Sequence, residues 1–236
     1  FFDAEWMFGM SRDRNNGEAV FDIVIGNPPY IKEFTFRDAF EGLRDSPYYQ
    51  GKMDLWYLFA CKALDHLKAK DGVLSFIATN NWVTNAGASI LRREMAQRAT
   101  ILRLIDFMNY KVFGSADIQT MILIARNDSS AADYKFDLRR LHKANADEQD
   151  RDALLARVPM VELEYLTPTF DRKAFNNKPF TFSANAIETI LNKMEGRRNF
   201  VLNPKTEVAQ GIVAPQDTVN KKAAEALRGT AEVGEG

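Results

Sequence analysis

The sequence predicts an α/β fold: part of a doubly wound sheet, followed by a C-terminal α+β segment. Three observations carry this prediction. Short apolar runs of strand length alternate with amphipathic runs of helical period between residues 21 and 126, the pattern of helices laid on the faces of a sheet. The first apolar run stops abruptly at Asn27-Pro28-Pro29-Tyr30, as a strand does where prolines remove its ladder donors. The last two apolar runs follow one another without a clear helix between them, which predicts an antiparallel pair.

Taken in order, Phe21-Asp-Ile-Val-Ile-Gly26 reads as a buried parallel strand, short and apolar and ended by Gly and Pro. Residues 31–51 have no clean period; Phe34, Phe36, Tyr48 and Tyr49 alternate with the breakers Gly42, Pro47 and Gly51. Two readings stand there: a mobile loop over the ligand of the strand end, or a surface connection with a few packed aromatics. Residues 53–69 form a helix, with Leu55, Phe59, Ala63 and Leu67 at four-residue spacing, joined by Ala60 and Leu64. Lys68, Lys70 and Gly72 supply its stop signal. Val73 to Ala78 is the next strand. Asn85 precedes a helix at about 87–98 with Ile90, Leu91 and Met95 inward. Ile101 to Phe107 and Ile118 to Arg126 are strands, residues 127–133 a polar turn, 134–141 a further edge strand, and 143–157 a charged, exposed helix. From about residue 159 the character changes, because Pro159, Pro168, Pro179 and Pro204 interrupt any long period. One helix stands out there: Asn185 and Glu188 resemble a capping box, Ile187, Ile190, Leu191 and Met194 share a face, and Gly196 ends it. The tail 221–236, rich in Ala, Glu and Gly, is expected to be poorly ordered.

The length of 236 residues allows one large domain or two small ones. No apolar stretch approaches the roughly 18–20 residues of a membrane span. The single cysteine, Cys61, rules out an internal disulfide framework, fits a reducing cytoplasm, and sits in the helix pattern as a packing residue. His66 and His142 are isolated, so no metal site is expected. A net charge of −1 gives no global signal for a polyanionic partner. The pairs Arg92-Arg93, Arg139-Arg140, Arg197-Arg198 and Lys221-Lys222 are the local basic groups, and each reads as solvated surface.

The chemistry concentrates at the end of the first strand. Open α/β sheets bind ligands outside the C-terminal ends of their strands. A carboxamide, two rigid prolines and an aromatic ring there suit methyl transfer to a planar amino nitrogen such as N6 of adenine. That nitrogen is a poor nucleophile, because its lone pair is delocalised into the ring. Acceptors that hold both of its hydrogens favour the pyramidal, reactive form. The Asn27 side-chain oxygen is one acceptor and the Pro28 carbonyl a second, since proline fixes the backbone and keeps its C=O. This is electrostatic preorganisation rather than acid–base catalysis. Tyr30 offers a face for a stacked base. A base in a duplex reaches such a site only when flipped out. The plain alternative is an ordinary turn after a strand, since Asn and Pro are common turn residues.

With these residues in view, the chain resembles the adenine-specific (N6) DNA methyltransferases, above all the large Eco57I-like, type IIG restriction–modification proteins. Phe2-Asp-Ala-Glu-Trp-Met-Phe8 is similar to the segment before the catalytic turn in that family, Phe21 to Tyr30 to its fourth motif, and Lys52-Met-Asp-Leu-Trp-Tyr-Leu-Phe59 to the helix that follows. Gly72 to Trp82, Ile101 to Phe107, Val112-Phe113 and Ile118 to Ala125 are similar to the later strands and loops. The resemblance implies a Rossmann-like sheet dependent on S-adenosyl-L-methionine, with residues 1–141 as the C-terminal half of the catalytic domain. Residues 142–236 would be a linker and the start of a target-recognition region, which Val201 to Asp217 resembles at its entry. By the same resemblance Asn27, Pro28, Pro29 and Tyr30 are the catalytic residues. Tyr30 and Phe113 clamp the target base, and the partner is double-stranded DNA with a flipped adenine, in a prokaryotic cytoplasm. The family's glycine-rich cofactor motif lies upstream of the catalytic turn, and only twenty-six residues precede Asn27 here. The chain therefore reads as a fragment without that motif, and no cofactor-binding residue is assigned. Two rivals remain: a non-catalytic DNA-contacting or assembly piece, and an amide N-methyltransferase acting on protein glutamine. Asp22 reads as a strand start, Trp82 as core or groove lining, and no nuclease cluster is present.

Overall fold

The computed structural model describes residues 21–114 and 118–182, with Ile190, Lys193, Met194, Gly196 and Arg197 beyond them. Segment 2–8, the stretch 201–217 and the tail 221–236 lie outside the described residues, as does most of the helix expected over 185–196. The chain divides into two units, Phe1–Thr189 and Ile190–Gly236.

Its centre is a mixed six-stranded sheet. The strands are β1 (Ile23–Gly26), β2 (Val73–Thr79), β3 (Thr100–Asp106), β4 (Thr120–Arg126), β6 (Asp137–Leu141) and β7 (Leu163–Leu166), in the order β1-β2-β4-β3-β6-β7. A two-stranded ribbon pairs β5 (Asp133–Lys135) with β8 (Thr169–Asp171). β1 and β2 run parallel, as do β3 and β6, whereas β4 lies antiparallel between β2 and β3. Four strands therefore point the same way, and Gly26, Thr79, Asp106 and Leu141 end at one edge. The antiparallel pairing expected of the last two apolar runs is present as β3 and β4. The sheet also continues past residue 141, because β6 pairs with β7.

The sheet's two faces follow from strand alternation. Leu74, Phe76 and Ala78 of β2, Ile101 and Leu104 of β3, and Met121, Leu123 and Ala125 of β4 enter the larger core under α1 (Leu55–His66) and α2 (Ser89–Arg98). Ile77, Ile105 and Ile122, at the intervening positions, join Phe107, Leu141 and Leu154 on the other face, below α3 (Glu148–Ala156). Asp147 opens α3 with a reciprocal capping box, its side chain accepting from the amides of Gln149 and Asp150.

Several expectations need correction. β1 is not buried: Ile23 and Ile25 are 63% and 78% exposed, since β1 is the last strand in the sheet order and one of its faces is uncovered. Within α1, Phe59 points outward, and the buried face is broader than the four-residue stripe, carrying Trp56, Tyr57, Ala60, Cys61 and Leu64. Arg92 and Arg139 are buried rather than solvated. Arg92 donates to the carbonyls of Trp82 and Asn85 at 2.7 and 2.6 Å, and Arg139 to those of Leu154, at 3.0 Å, and Leu155. Each guanidinium adds donors to main-chain carbonyls, and Arg139 does so at the C-terminal turn of α3. The segment after residue 159 contributes β7, β8 and the rings of Phe170, Phe175, Phe180 and Phe182, which pack on one another. Phe180 also meets Trp82 edge-on at 5.6 Å, so Trp82 is a core residue.

Candidate active site

The site stands where β1 runs out. Gly26 ends the strand, and Asn27, Pro28, Pro29 and Tyr30 follow without helix or strand geometry. Pro28 is buried, Asn27 and Pro29 are exposed, and Tyr30 is half-buried. The Tyr30 hydroxyl lies 2.5 Å from Asn27 Oδ1 and 2.8 Å from the carbonyl oxygen of Ile77 on β2. One O–H proton thus serves two acceptors, and the ring is pinned between its own turn and the neighbouring strand. An amide oxygen accepts along two lone-pair directions, so the contact with Tyr30 leaves Asn27 Oδ1 one direction for an incoming N–H. Partial burial, and the Asp54 carboxylate behind it, push the Tyr30 phenol up to about 12, so it stays protonated and keeps donating.

Phe113 faces Tyr30 from the loop after β3. The ring centroids are 6.5 Å apart, with planes inclined at 53°. A planar base between parallel rings needs about 7 Å, two van der Waals contacts of roughly 3.5 Å each. The separation is close to that value, and the tilt must be removed for a sandwich. Asn27, Tyr30 and Phe113, far apart in sequence, are therefore brought to one place. Asp22 is not part of it; its carboxylate is exposed and pairs with Lys68 at 2.8 Å.

Beside Tyr30 opens a cleft of about 200 Å³, lined by Tyr30, Lys32, Asp54, Thr79, Asn80, Asn81, Ile118 and Gln119. A second, of about 410 Å³, shares Asn80, Asn81 and Gln119 and extends past Asp106 to Arg140 and His142. Together they follow the edge where the parallel strands end. The walls are tied down. Trp56 Nε1 donates to Thr79 Oγ1 at 2.9 Å, Tyr57 O–H to Asn81 Oδ1 at 3.2 Å, and Asn80 Nδ2 to Asp106 Oδ1 at 3.0 Å. Burial holds the Asp106 carboxyl above its ordinary value, against the pull of the Met108 amide and Asn80.

Sequence reasoning missed Asp54. It precedes α1 as the N-cap residue, yet its side chain makes no cap bond. It is 2% exposed, and neither carboxylate oxygen has a partner in hydrogen-bonding geometry. Burial raises its carboxyl to about 6; the nearby amides of Trp56, Ile31 and Leu55 and the Lys32 ammonium offset only part of that. An acid opening an apolar helix reads as a cap, and nothing in the sequence marks it as facing a cleft. Among the described residues, no three His, Cys, Asp or Glu side chains gather as a metal site, and no helix is long and apolar enough to cross a membrane. Gly26 is followed by prolines rather than a helix, and a Cβ there would touch Phe76 at 3.4 Å.

The candidate site is thus a strand-end turn with a held carboxamide and two facing rings, on a mixed α/β sheet. Residues 2–113, which carry the site, match the family described as the Eco57I restriction-modification methylase. The type II methyltransferase M.XhoI of Xanthomonas vasicola is 30% identical over 101 residues, covering 39% of this chain and 17% of that protein. The type II methyltransferase M.BanIII of Aneurinibacillus aneurinilyticus is 26% identical over 101 residues, covering 42% and 17%. The match thus spans about a sixth of the length of these relatives. Among solved structures, the type IIG restriction endonuclease BpuSI aligns over 74% of this chain and 22% of its own, at 16% identity and a TM-score of 0.45. A type I restriction-modification methyltransferase subunit from Streptococcus thermophilus aligns over 72% and 38%, at 17% identity and 0.43.

Proposed function

We propose that the protein carrying this chain methylates N6 of an adenine flipped out of double-stranded DNA, within a restriction–modification system of the prokaryotic cytoplasm. S-adenosylmethionine supplies the methyl group when bound. The observation that carries the reading is the meeting of Asn27, held by the Tyr30 hydroxyl, with the opposed rings of Tyr30 and Phe113. Asn27 Oδ1 accepts one N6 hydrogen along its remaining lone-pair direction, and the Pro28 carbonyl accepts the other. The amine is thereby turned out of conjugation and its lone pair aimed away from the ring. Pro28 and Pro29 fix the backbone, so the acceptors need no reorganisation as charge develops. Tyr30 and Phe113 hold the base by stacking, each face contributing roughly 1–3 kcal/mol. The test is transfer of labelled methyl groups to genomic DNA lacking adenine methylation, comparing the full-length protein with its Asn27→Ala variant. We expect label in N6-methyladenine and a loss of at least about a hundredfold with the variant, the effect of removing one preorganised polar contact. Label in protein glutamine, or full activity of the variant, refutes the assignment.

A further inference from the structure

The turn after the site carries an aromatic side chain that the base clamp leaves unused. Phe34 is 72% exposed and Phe36 59%, although each sits within a few residues of Tyr30. The turn is firmly held. The carbonyl of Lys32 accepts from the amides of Thr35 and Phe36, both at 3.0 Å. Its stem pairs with the entry to α1, Glu33 N donating to the Met53 carbonyl at 3.0 Å and Leu55 N to that of Ile31 at 2.8 Å. Phe34 is thus presented at the tip of an anchored turn.

Lys32 links that tip to the site. Its side chain lines the 200 Å³ cleft with Tyr30, and its Nζ lies 5.9 Å from the centroid of the Phe34 ring. Phe34 is therefore joined to the cleft through Lys32, one side chain from the base clamp. Lys32 Nζ forms no ion pair among the described residues. An exposed planar apolar face beside the Lys32 ammonium matches a stack of bases bordered by phosphates. Extruding a base leaves a gap in the duplex, and apolar side chains that enter base steps lower the cost of unstacking.

We propose that Phe34 is the wedge that enters the DNA stack beside the extruded nucleotide, with Lys32 meeting the adjoining phosphate. The proposal rests on the base-flipping reading above. Phe34 acts on the duplex and does not touch the reacting atoms.

The test uses the full-length protein and two duplexes carrying one methylation site, located beforehand by mapping methylated adenine in genomic DNA. One duplex is fully paired; in the other the base opposite the target adenine is removed, so that extrusion needs no unpairing. Single-turnover methylation is measured for the wild type, Phe34→Ala and Phe34→Trp, with thermal melting to verify folding. For Phe34→Ala we expect a roughly ten- to hundredfold slower reaction on the paired duplex, the range of one lost stacking contact. On the abasic duplex its rate should stay within about threefold of wild type, and Phe34→Trp should restore the paired reaction. Equal slowing on both duplexes, or none on either, overturns the wedge while leaving base flipping in place. A wild type that methylates adenine in neither duplex refutes the base-flipping reading itself, and the wedge with it.

Discussion

Asp54→Asn should make the protein more stable at neutral pH and leave it unchanged in acid. Burial sets the carboxyl at about 6, against 3.8 for the ordinary group. The displacement corresponds to roughly 3 kcal/mol of differential stability, and we reduce it to about 2 because the adjoining cleft admits water. Below pH 4 both folded and unfolded chains hold the proton, and the site adds no penalty. Between about 4 and 6 the unfolded chain has lost the proton that the native chain keeps, so native stability falls as pH rises. Above 6 the buried carboxylate is ionised and the whole penalty is present. Asparagine has nearly the same shape and does not titrate in this range, so the variant lacks this slope. Asp65, held below its ordinary value by the Tyr48 hydroxyl and Arg98, and Asp137, held down by Arg139 and Arg103, act at lower pH and in the opposite sense. They are common to both proteins and cancel in the difference. The assay is urea unfolding of wild type and variant at pH 4, 5, 6 and 7. The variant's advantage should grow from near zero to about 2 kcal/mol. A difference that is flat with pH, or a wild type that gains stability relative to the variant as pH rises, refutes the burial argument.

Two further predictions concern the frame around the site. In Gly87→Ala the new Cβ would stand 2.0 Å from the Lys52 carbonyl oxygen, a backbone atom that cannot swing aside. A loss of roughly 3 kcal/mol or more is expected, read as a fall in Tm of about 6–12 °C, and a fall of less than 2 °C would show that the two segments do not touch. Arg172→Met withdraws donors from the carbonyls of Ala131, Ala96 and Asp128 and from Thr100 Oγ1, and removes a cation held 5.0 Å over the Tyr134 ring. Denaturant titration should register a loss of about 2–4 kcal/mol; a change below about 0.5 kcal/mol would mean that solvent satisfies those carbonyls.

What was legible in the sequence was local and periodic. β2, β3, β4 and α1 follow from apolar runs with clear boundaries, and Asn27 to Tyr30 from the collision of a strand with two prolines. Phe113 was placed by resemblance alone, since no pattern within the chain brings it to Tyr30. The failures were those in which tertiary partners decide. Ile23 and Ile25 make β1 read as buried, but burial depends on what lies over the strand. Arg92 and Arg139 read as solvated because arginine pairs usually are, yet each turns inward to main-chain carbonyls brought to it by the fold. Phe170, Phe175, Phe180 and Phe182 have no helical or strand period, and only folding brings their rings together. Asp54 looks like an ordinary cap until its two oxygens are found without partners.

The same helix explains why the site can be rigid although its reactive residues lie in a loop. The stem before Phe34 hydrogen-bonds to the residues that open α1, and Trp56 and Tyr57 in its first turn reach the loop after β2 through Thr79 and Asn81. The Tyr30 hydroxyl grips β2 at Ile77. Both walls of the cleft are therefore referenced to one rigid unit, β2 with the N-terminal turn of α1. Relative movement of Asn27 and Asn80 requires breaking a contact inside that unit. A carboxamide that must present a fixed lone pair to a weak nucleophile needs that constraint, because a misplacement of about 1 Å can lower a rate a hundredfold. The exposed Phe34 lies outside the constraint at its side chain but inside it at its backbone. A residue that meets a deformable duplex requires that combination: a fixed point of attachment and an exposed ring.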